Sequence, residues 1–417
     1  MKAFVKEAEK EIPIAYECDV AVAGGGTSGV AAAVCAARMG LSVVMIERTS
    51  QPGGILTGVI KSFEDFSNKG GFVKEFVEYM TENGLFEHPF FNPFYVTPYF
   101  DRLIEEAGVR HIYLASVCDP IVEDGKVNGL FIESKSGRTA VIAKIVIDAT
   151  GDGDAAAKAG AGFMMGRDSD GLWQAFSASS MLSNYKGPPL NGSDLEKIIE
   201  KCNKVSGRNY KLPFAKSSIR TLPKTEGTVW HSIPHVTEKS PLNSEELSDA
   251  VVELRKQAWE LFCHLKKYSP EFKDAEFGPF SPLPGVRESR RIICDFNIPD
   301  EAAEGAEYED GLFYASWPMS LHKCSSSDKD IELKPVKPFH VPYRSLLPVN
   351  IENMLVCGRC IGAGHEILAT CRIAANCMAS GEAAAIAAKM SLEKGLNLRE
   401  IEINELRNEM KQRGYKN

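Results

Sequence analysis

Three glycines and one glutamate carry the first chemical signal in this 417-residue chain. Gly24, Gly26 and Gly29 stand in G-x-G-x-x-G spacing, after the apolar run Val20-Ala21-Val22-Ala23 and before an alanine-rich stretch over 30–39. A second apolar run over 42–46 ends at Glu47, eighteen positions past Gly29. In a strand–turn–helix–strand unit of this kind, the first glycine permits a tight turn and the second lets the backbone approach a pyrophosphate. The third lets the helix lie close to the sheet. The helix N-terminus offers unpaired N–H groups and a partial positive charge to phosphates. Glu47 at the end of the second strand suits a ribose hydroxyl, so the motif predicts a dinucleotide without a 2′-phosphate.

A second set of candidates lies towards the far end. The turn Arg359-Cys360-Ile361-Gly362-Ala363-Gly364-His365-Glu366 follows a short apolar strand over 353–358. Arg372 then precedes an alanine-rich helix over 374–392. His365 is a candidate acid or base, and equally a histidine that only ties the turn together. Arg287, Arg290 and Arg291 in PGVRESRRI either form a solvated face or hold an anion by bidentate bonds. Cys357 and Cys360 have C-x-x-C spacing, which invites a dithiol or metal reading. Their place counts against it, because Cys357 ends a buried strand. Cys371 and Cys377 bring the thiols to four, but not in a recognised cluster spacing, so no metal site is expected.

These residues need a scaffold. The chain has 44% hydrophobic and 25% charged residues, ordinary for a globular protein, and is long enough for two domains. A net charge of -8 argues against a nucleic-acid partner. No apolar run is long enough to span a membrane, and the N-terminus mixes charges of both signs, which predicts a cytoplasmic protein. Helices are expected over 71–82 and 99–107, followed by strands over 109–116, 121–127, 129–134, 139–143 and 144–149, with a hairpin turn at Asp124-Gly125. Gly151-Asp152-Gly153-Asp154 mimics a second fingerprint, but no strand ending in an acid follows, so no second nucleotide site is expected. Residues 162–338 hold all four tryptophans and long polar connections, with one clear helix over 244–267. They read as a substrate or cap domain inserted between the two parts of a nucleotide-binding domain, 1–161 and 339–417.

The stretches CDVAVAGGGTSGVAAAVCAARMG, IERTSQPGG, IVIDATGDGDAAAKAG, LPGVRESRRI, VPYRSLLP, NMLVCGRCIGAGHE and ELRNEMKQRGY together resemble the glutathione-reductase-type FAD fold. The chain is more closely similar to FAD-dependent oxidoreductases near the fumarate reductase flavoproteins and tricarballylate-type dehydrogenases. The resemblance implies an α/β fold: a Rossmann-like FAD-binding domain with a central parallel sheet and an antiparallel β-meander, plus an inserted α+β cap. It implies that Gly24, Gly26, Thr27, Ser28, Gly29, Glu47 and Arg48 hold the pyrophosphate and adenosine of FAD, with the double glycine Gly53-Gly54 and the Val117 backbone. Ala149, Thr150, Gly151 and Asp152 form a further wall, and Gly358, Arg359, His365, Arg372, Ile373 and Ala374 lie against the flavin. Arg372 would stabilise anionic reduced flavin or fix a substrate carboxylate. Arg287 and Arg290 are substrate-binding candidates, with His322 and Tyr343 weaker ones. Ile55 stands where covalent relatives carry histidine, so FAD is expected to be non-covalent. Arg359 stands where many relatives have aspartate. The expected reaction is hydride transfer between FAD and a small carboxylate- or hydroxyl-bearing molecule, with an electron donor or acceptor that the residues do not specify. The alternatives are a thiol or sulfur oxidoreductase using Cys357 and Cys360, or an electron-transfer subunit.

Overall fold

The computed structural model describes residue 5 and residues 8–60, 62–214, 217–232 and 234–417. The fingerprint folds as a parallel strand–helix–strand unit of β1 (Ile14–Ala23), α1 (Thr27–Arg38) and β2 (Val43–Glu47). Two helices follow, α2 (Gly71–Glu82) and α3 (Val96–Glu106), and β3 (Arg110–Tyr113) then adds to β2 in parallel. The chain next turns back on itself twice. β4 (Ser116–Glu123), β5 (Lys126–Ser134) and β6 (Gly137–Asp148) form an antiparallel meander whose first turn is Asp124-Gly125. Both turn residues sit at positive φ, which explains the aspartate–glycine pair.

A short helix, α4 (Asp154–Lys158), leads into the inserted region. There β7 (Ser180–Ser183), α5 (Gly192–Ser206), β8 (Ser218–Thr221), β9 (Thr228–Ser232), α6 (Ser244–Tyr268) and β10 (Glu276–Phe280) build a layer of their own. The four strands pair antiparallel in the order β8-β9-β7-β10. Leu182, Leu195, Ile199, Leu261, Leu265 and Phe272 form a separate core between this sheet and α5 and α6. α5 starts at a capping box, with the Asn191 side chain accepting from the Asp194 N–H and Asp194 accepting from Asn191 in return.

The rest of the region read as inserted packs differently. β11 (Gly311–Ala315), β12 (Met319–His322) and β13 (Phe339–Pro342) contribute Leu312, Phe313, Ala315, Met319 and Phe339 to the main core, as does Ile298 before them. Residues of 162–338 are thus divided between two cores. Residues after the cap strands belong by packing to the FAD-type domain.

The end of the chain completes the central sheet. β14 (Met354–Val356) lies parallel to β6, Met354 beside Val146 and Val356 beside Asp148. β6 thus has β1 along one edge, and on the other edge β5 up to Ile142 and β14 from Val146 onward. α7 (Ala374–Lys394) packs on α1, and a Cβ on its Gly381 would overlap the Ser28 carbonyl oxygen. Small residues on both helices permit that approach and explain their alanine content. α8 (Ile403–Gln412) ends the fold. Among the described residues no helix is long and apolar enough to cross a membrane.

Candidate functional site

β1, β2, β6 and β14 all point their C-terminal ends the same way, and a cavity of about 790 Å³ lies beyond the ends of β1, β2 and β6. Ligands of open parallel sheets bind at this edge. Gly24, Gly26, Thr27 and Ser28 line it after β1, and Glu47 and Arg48 line it after β2. Gly54, Ile55 and Val117 join them, as do Ala149, Thr150, Gly151 and Asp152 after β6.

The fingerprint glycines do different work. Gly29 is away from the cavity; a Cβ there would overlap the Gly24 carbonyl oxygen, so its absence lets α1 lie on β1. A Cβ on Gly26 would meet nothing within 4 Å. Its φ of -70° is open to any residue, so neither backbone nor protein packing requires glycine there. α1 begins at that point with no side-chain cap and no acid in its first turn. Its first N–H groups and the empty space over Gly26 fit a pyrophosphate. Glu47 is buried and already oriented, accepting from the Gly25 N–H at 2.7 Å and the Thr49 N–H at 2.7 Å. Its remaining lone pairs fit ribose hydroxyls. The Gly53 N–H reaches Gly25 O at 2.8 Å, which draws the double glycine to the fingerprint turn.

Three residues that the sequence did not single out fix the other walls. Asp148, fully buried at the end of β6, accepts from the Thr150 N–H, the Thr150 hydroxyl and the Ala156 N–H. It thereby sets the A-T-G turn against α4. Ser289 donates to Asp152 Oδ1 at 2.7 Å and accepts from Arg359 Nη1 at 2.7 Å. Arg359 Nη2 reaches the same aspartate oxygen at 2.6 Å. Burial works to raise the Asp152 pKa, but Arg359, Ser289 and Arg48 outweigh it and hold the carboxyl below its usual range. The arginine that replaces the familiar aspartate after Gly358 is thus matched by an aspartate from another strand end. Glu288, also fully buried, is the third.

Glu288 changes the reading of His365. The histidine donates from Nδ1 to Glu288 at 2.9 Å, Arg291 pairs with the same carboxylate, and His365 does not line the cavity. Arg290 lines the cavity, but its Nη1 bonds Asp154 at 2.8 Å and Asp152 O at 3.0 Å, so its charge is already matched. Arg372 also lines the cavity. It donates to Ser320 O at 3.2 Å, its buried Nε has no partner, and it forms no ion pair among the described residues. Arg287 donates to Ala175 O, and likewise forms no ion pair among the described residues. Burial holds its pKa well below the usual arginine value, with Arg372 adding repulsion; burial likewise lowers Arg372 to about 10.

The remaining candidates are elsewhere. Tyr343 is core, donating to Leu398 O at 2.8 Å, and His322 bonds His235 at 3.2 Å. Gly358, Ile373 and Ala374 sit behind the wall rather than on it; a Cβ on Gly358 would come 2.5 Å from Ser28 Oγ. Cys357 and Cys360 are fully buried free thiols outside the cavity, and burial raises both pKa values. That placement opposes a dithiol role, because a buried neutral thiol is a poor nucleophile. Among the described residues no group of three or more His, Cys, Asp and Glu is placed to hold a metal ion.

A family model described as FAD dependent oxidoreductase matches residues 19–410. The chain belongs to the FAD-dependent oxidoreductase family. Its dinucleotide is therefore FAD, an assignment that the open space over Gly26 and the oriented Glu47 fit. The oxidoreductase is also 32% identical over 149 residues to a thiamine thiazole synthase of Methanothermobacter thermautotrophicus, covering 32% of this chain and 56% of that protein. To the thiamine thiazole synthase of Pyrococcus horikoshii it is 28% identical over 166 residues, covering 36% and 64%. The chain thus spans less than two thirds of either relative. Among solved structures it is similar to a geranylgeranyl bacteriochlorophyll reductase-like protein from Thermoplasma acidophilum. That likeness has 17% identity and a TM-score of 0.45, and covers 96% of this chain and 82% of that one.

Proposed function

We propose that this flavoprotein oxidises or reduces a small organic molecule bearing a carboxylate, with the carboxylate held by Arg372 and Arg287. The observation that carries the reading is Arg372 on the cavity wall, with Arg287 behind it and near enough to feel its charge, neither in an ion pair among the described residues. An arginine keeps its proton even when burial disfavours the charge; burial acts against both guanidiniums, Arg372 adds repulsion at Arg287, and Glu288 and Glu64 offset only part of the effect at Arg372, so a bound anion would favour both. A carboxylate does so bidentately. Bound FAD supplies the hydride or electron chemistry, while the chain binds and orients the substrate. Arg290 is assigned to the cofactor wall and His365 to positioning of the Glu288 turn. The matches to thiamine thiazole synthases cover about a third of this chain and assign it no substrate. Eleven free cysteines are in keeping with a reducing, cytoplasmic setting.

The test is spectroscopic. FAD-loaded protein is mixed without oxygen with small carboxylates and with their amides, and the flavin absorbance is followed for bleaching, or for reoxidation after dithionite. Carboxylates are expected to react and amides to fail. Arg372→Gln and Arg287→Gln are each expected to raise the half-saturating concentration about a hundredfold, the loss of one charge-assisted pair, with FAD content unchanged. Equal reaction of acid and amide would sink the proposal.

A further inference from the structure

The cap helix α6 has two working faces. Ala250, Leu254, Ala258, Leu261 and Leu265 turn inward and are buried in the cap. Ser244, Leu247, Ser248, Val251, Val252 and Arg255 line the same cavity as Gly26, Glu47 and Val117. Their separations of three and four make one continuous stripe over three turns. Pro241 and Leu242 prolong it ahead of the Asn243 cap. The stripe is unfinished as a protein surface. Val252 is 57% exposed beside the cavity, although a helix needs only one apolar face to hold its own domain.

The residues that share this cavity with the stripe say what belongs there. Glu47, Arg48, Ser116 and Val117 are the ribose and adenine end of the fingerprint unit. Leu247, Val251 and Val252 offer aliphatic surface to a purine, and Ser244, Ser248 and Arg255 offer donors to hydroxyl or phosphate oxygens.

We propose that this stripe of α6 is part of the cofactor site, covering the adenosine half of FAD, so that cofactor and cap hold each other in place. The coupling is reciprocal: whatever affinity FAD gains from α6, the docked position of the cap gains from FAD. The inserted unit then does more than enclose substrate.

Hydrogen exchange on apo and FAD-loaded protein tests this without substitution. FAD is expected to slow exchange over 241–255 together with Gly24–Ser28. Protection at Gly24–Ser28 with 241–255 unchanged overturns the proposal. Absence of protection at both means that FAD has not bound, which overturns the cofactor assignment itself. A second measurement uses Val252→Asp, an exposed position where the fold tolerates a charge. FAD release, followed by recovery of flavin fluorescence, is expected to be about tenfold faster, from lost apolar cover and repulsion of phosphate. An unchanged release rate, with helix content intact by circular dichroism, overturns the proposal equally.

Discussion

Gly26 and Gly29 are three positions apart and answer to different partners. Gly29 is required by the protein, since the Gly24 carbonyl occupies the place of its missing Cβ. Gly26 is required only by something outside the protein. Gly29→Ala is therefore expected to cost the apo fold about 3 kcal/mol in urea denaturation, as overpacking of a fixed contact does. Gly26→Ala should leave apo stability within about 1 kcal/mol. It should weaken FAD binding about a hundredfold, as judged by flavin titration, because a methyl group then occupies the phosphate's place. Equal effects of the two substitutions would refute this division. The same scale explains which candidate residues could be read in advance. Residue type and spacing identified Arg290 and His365 as chemically able, but their partners Asp154 and Glu288 are set by the fold. Of the candidate arginines, Arg287 and Arg372 form no ion pair among the described residues.

Elements held together by local signals were legible in the sequence. The fingerprint unit, α2, the Asp124-Gly125 hairpin, α6 and α7 lie within a few residues of their expected bounds, because period, caps and turns are encoded nearby. The cap sheet was not legible. β7, β8 and β9 have four or five residues each, too few to show a period, and β7 pairs with β10 across α5 and α6. Asn191 with Asp194 three residues later is a local start signal for α5. Strand β13 carries a prediction of its own. His340 is buried, and its Nδ1 accepts from the Tyr308 N–H at 3.1 Å. Burial lowers its pKa below 6.5. Between that lowered value and about 6.5, the unfolded chain binds a proton that the fold refuses. This share of stability is present above the window and is lost as pH falls through it. His264 in the cap shifts in the same direction, again through burial. Urea midpoints are expected to fall between pH 7 and pH 5. His340→Asn, whose amide oxygen can accept the same N–H, should flatten part of that slope.

At the scale of the molecule, the two segments of the FAD-type domain meet on β6. β14 reaches β6 across all of residues 149–353. The bounds of the insertion were less legible, because the apolar residues of β11 and β12 look no different from cap residues until their neighbours are known. The shared edge of β6 also has a consequence for synthesis. The chain leaves the ribosome from its N-terminus, so Val146–Asp148 emerges with one side open and stays open until Met354–Val356 arrives. Until then the nascent protein carries an unpaired parallel edge and an α1 without α7 against it, and both invite association with other chains. A fragment ending at Ala161 is accordingly expected to sediment as aggregate where the full chain stays in solution; a soluble, monomeric fragment would contradict this. The cavity wall that Arg359, Arg372 and Cys377 supply forms only after that stretch has emerged.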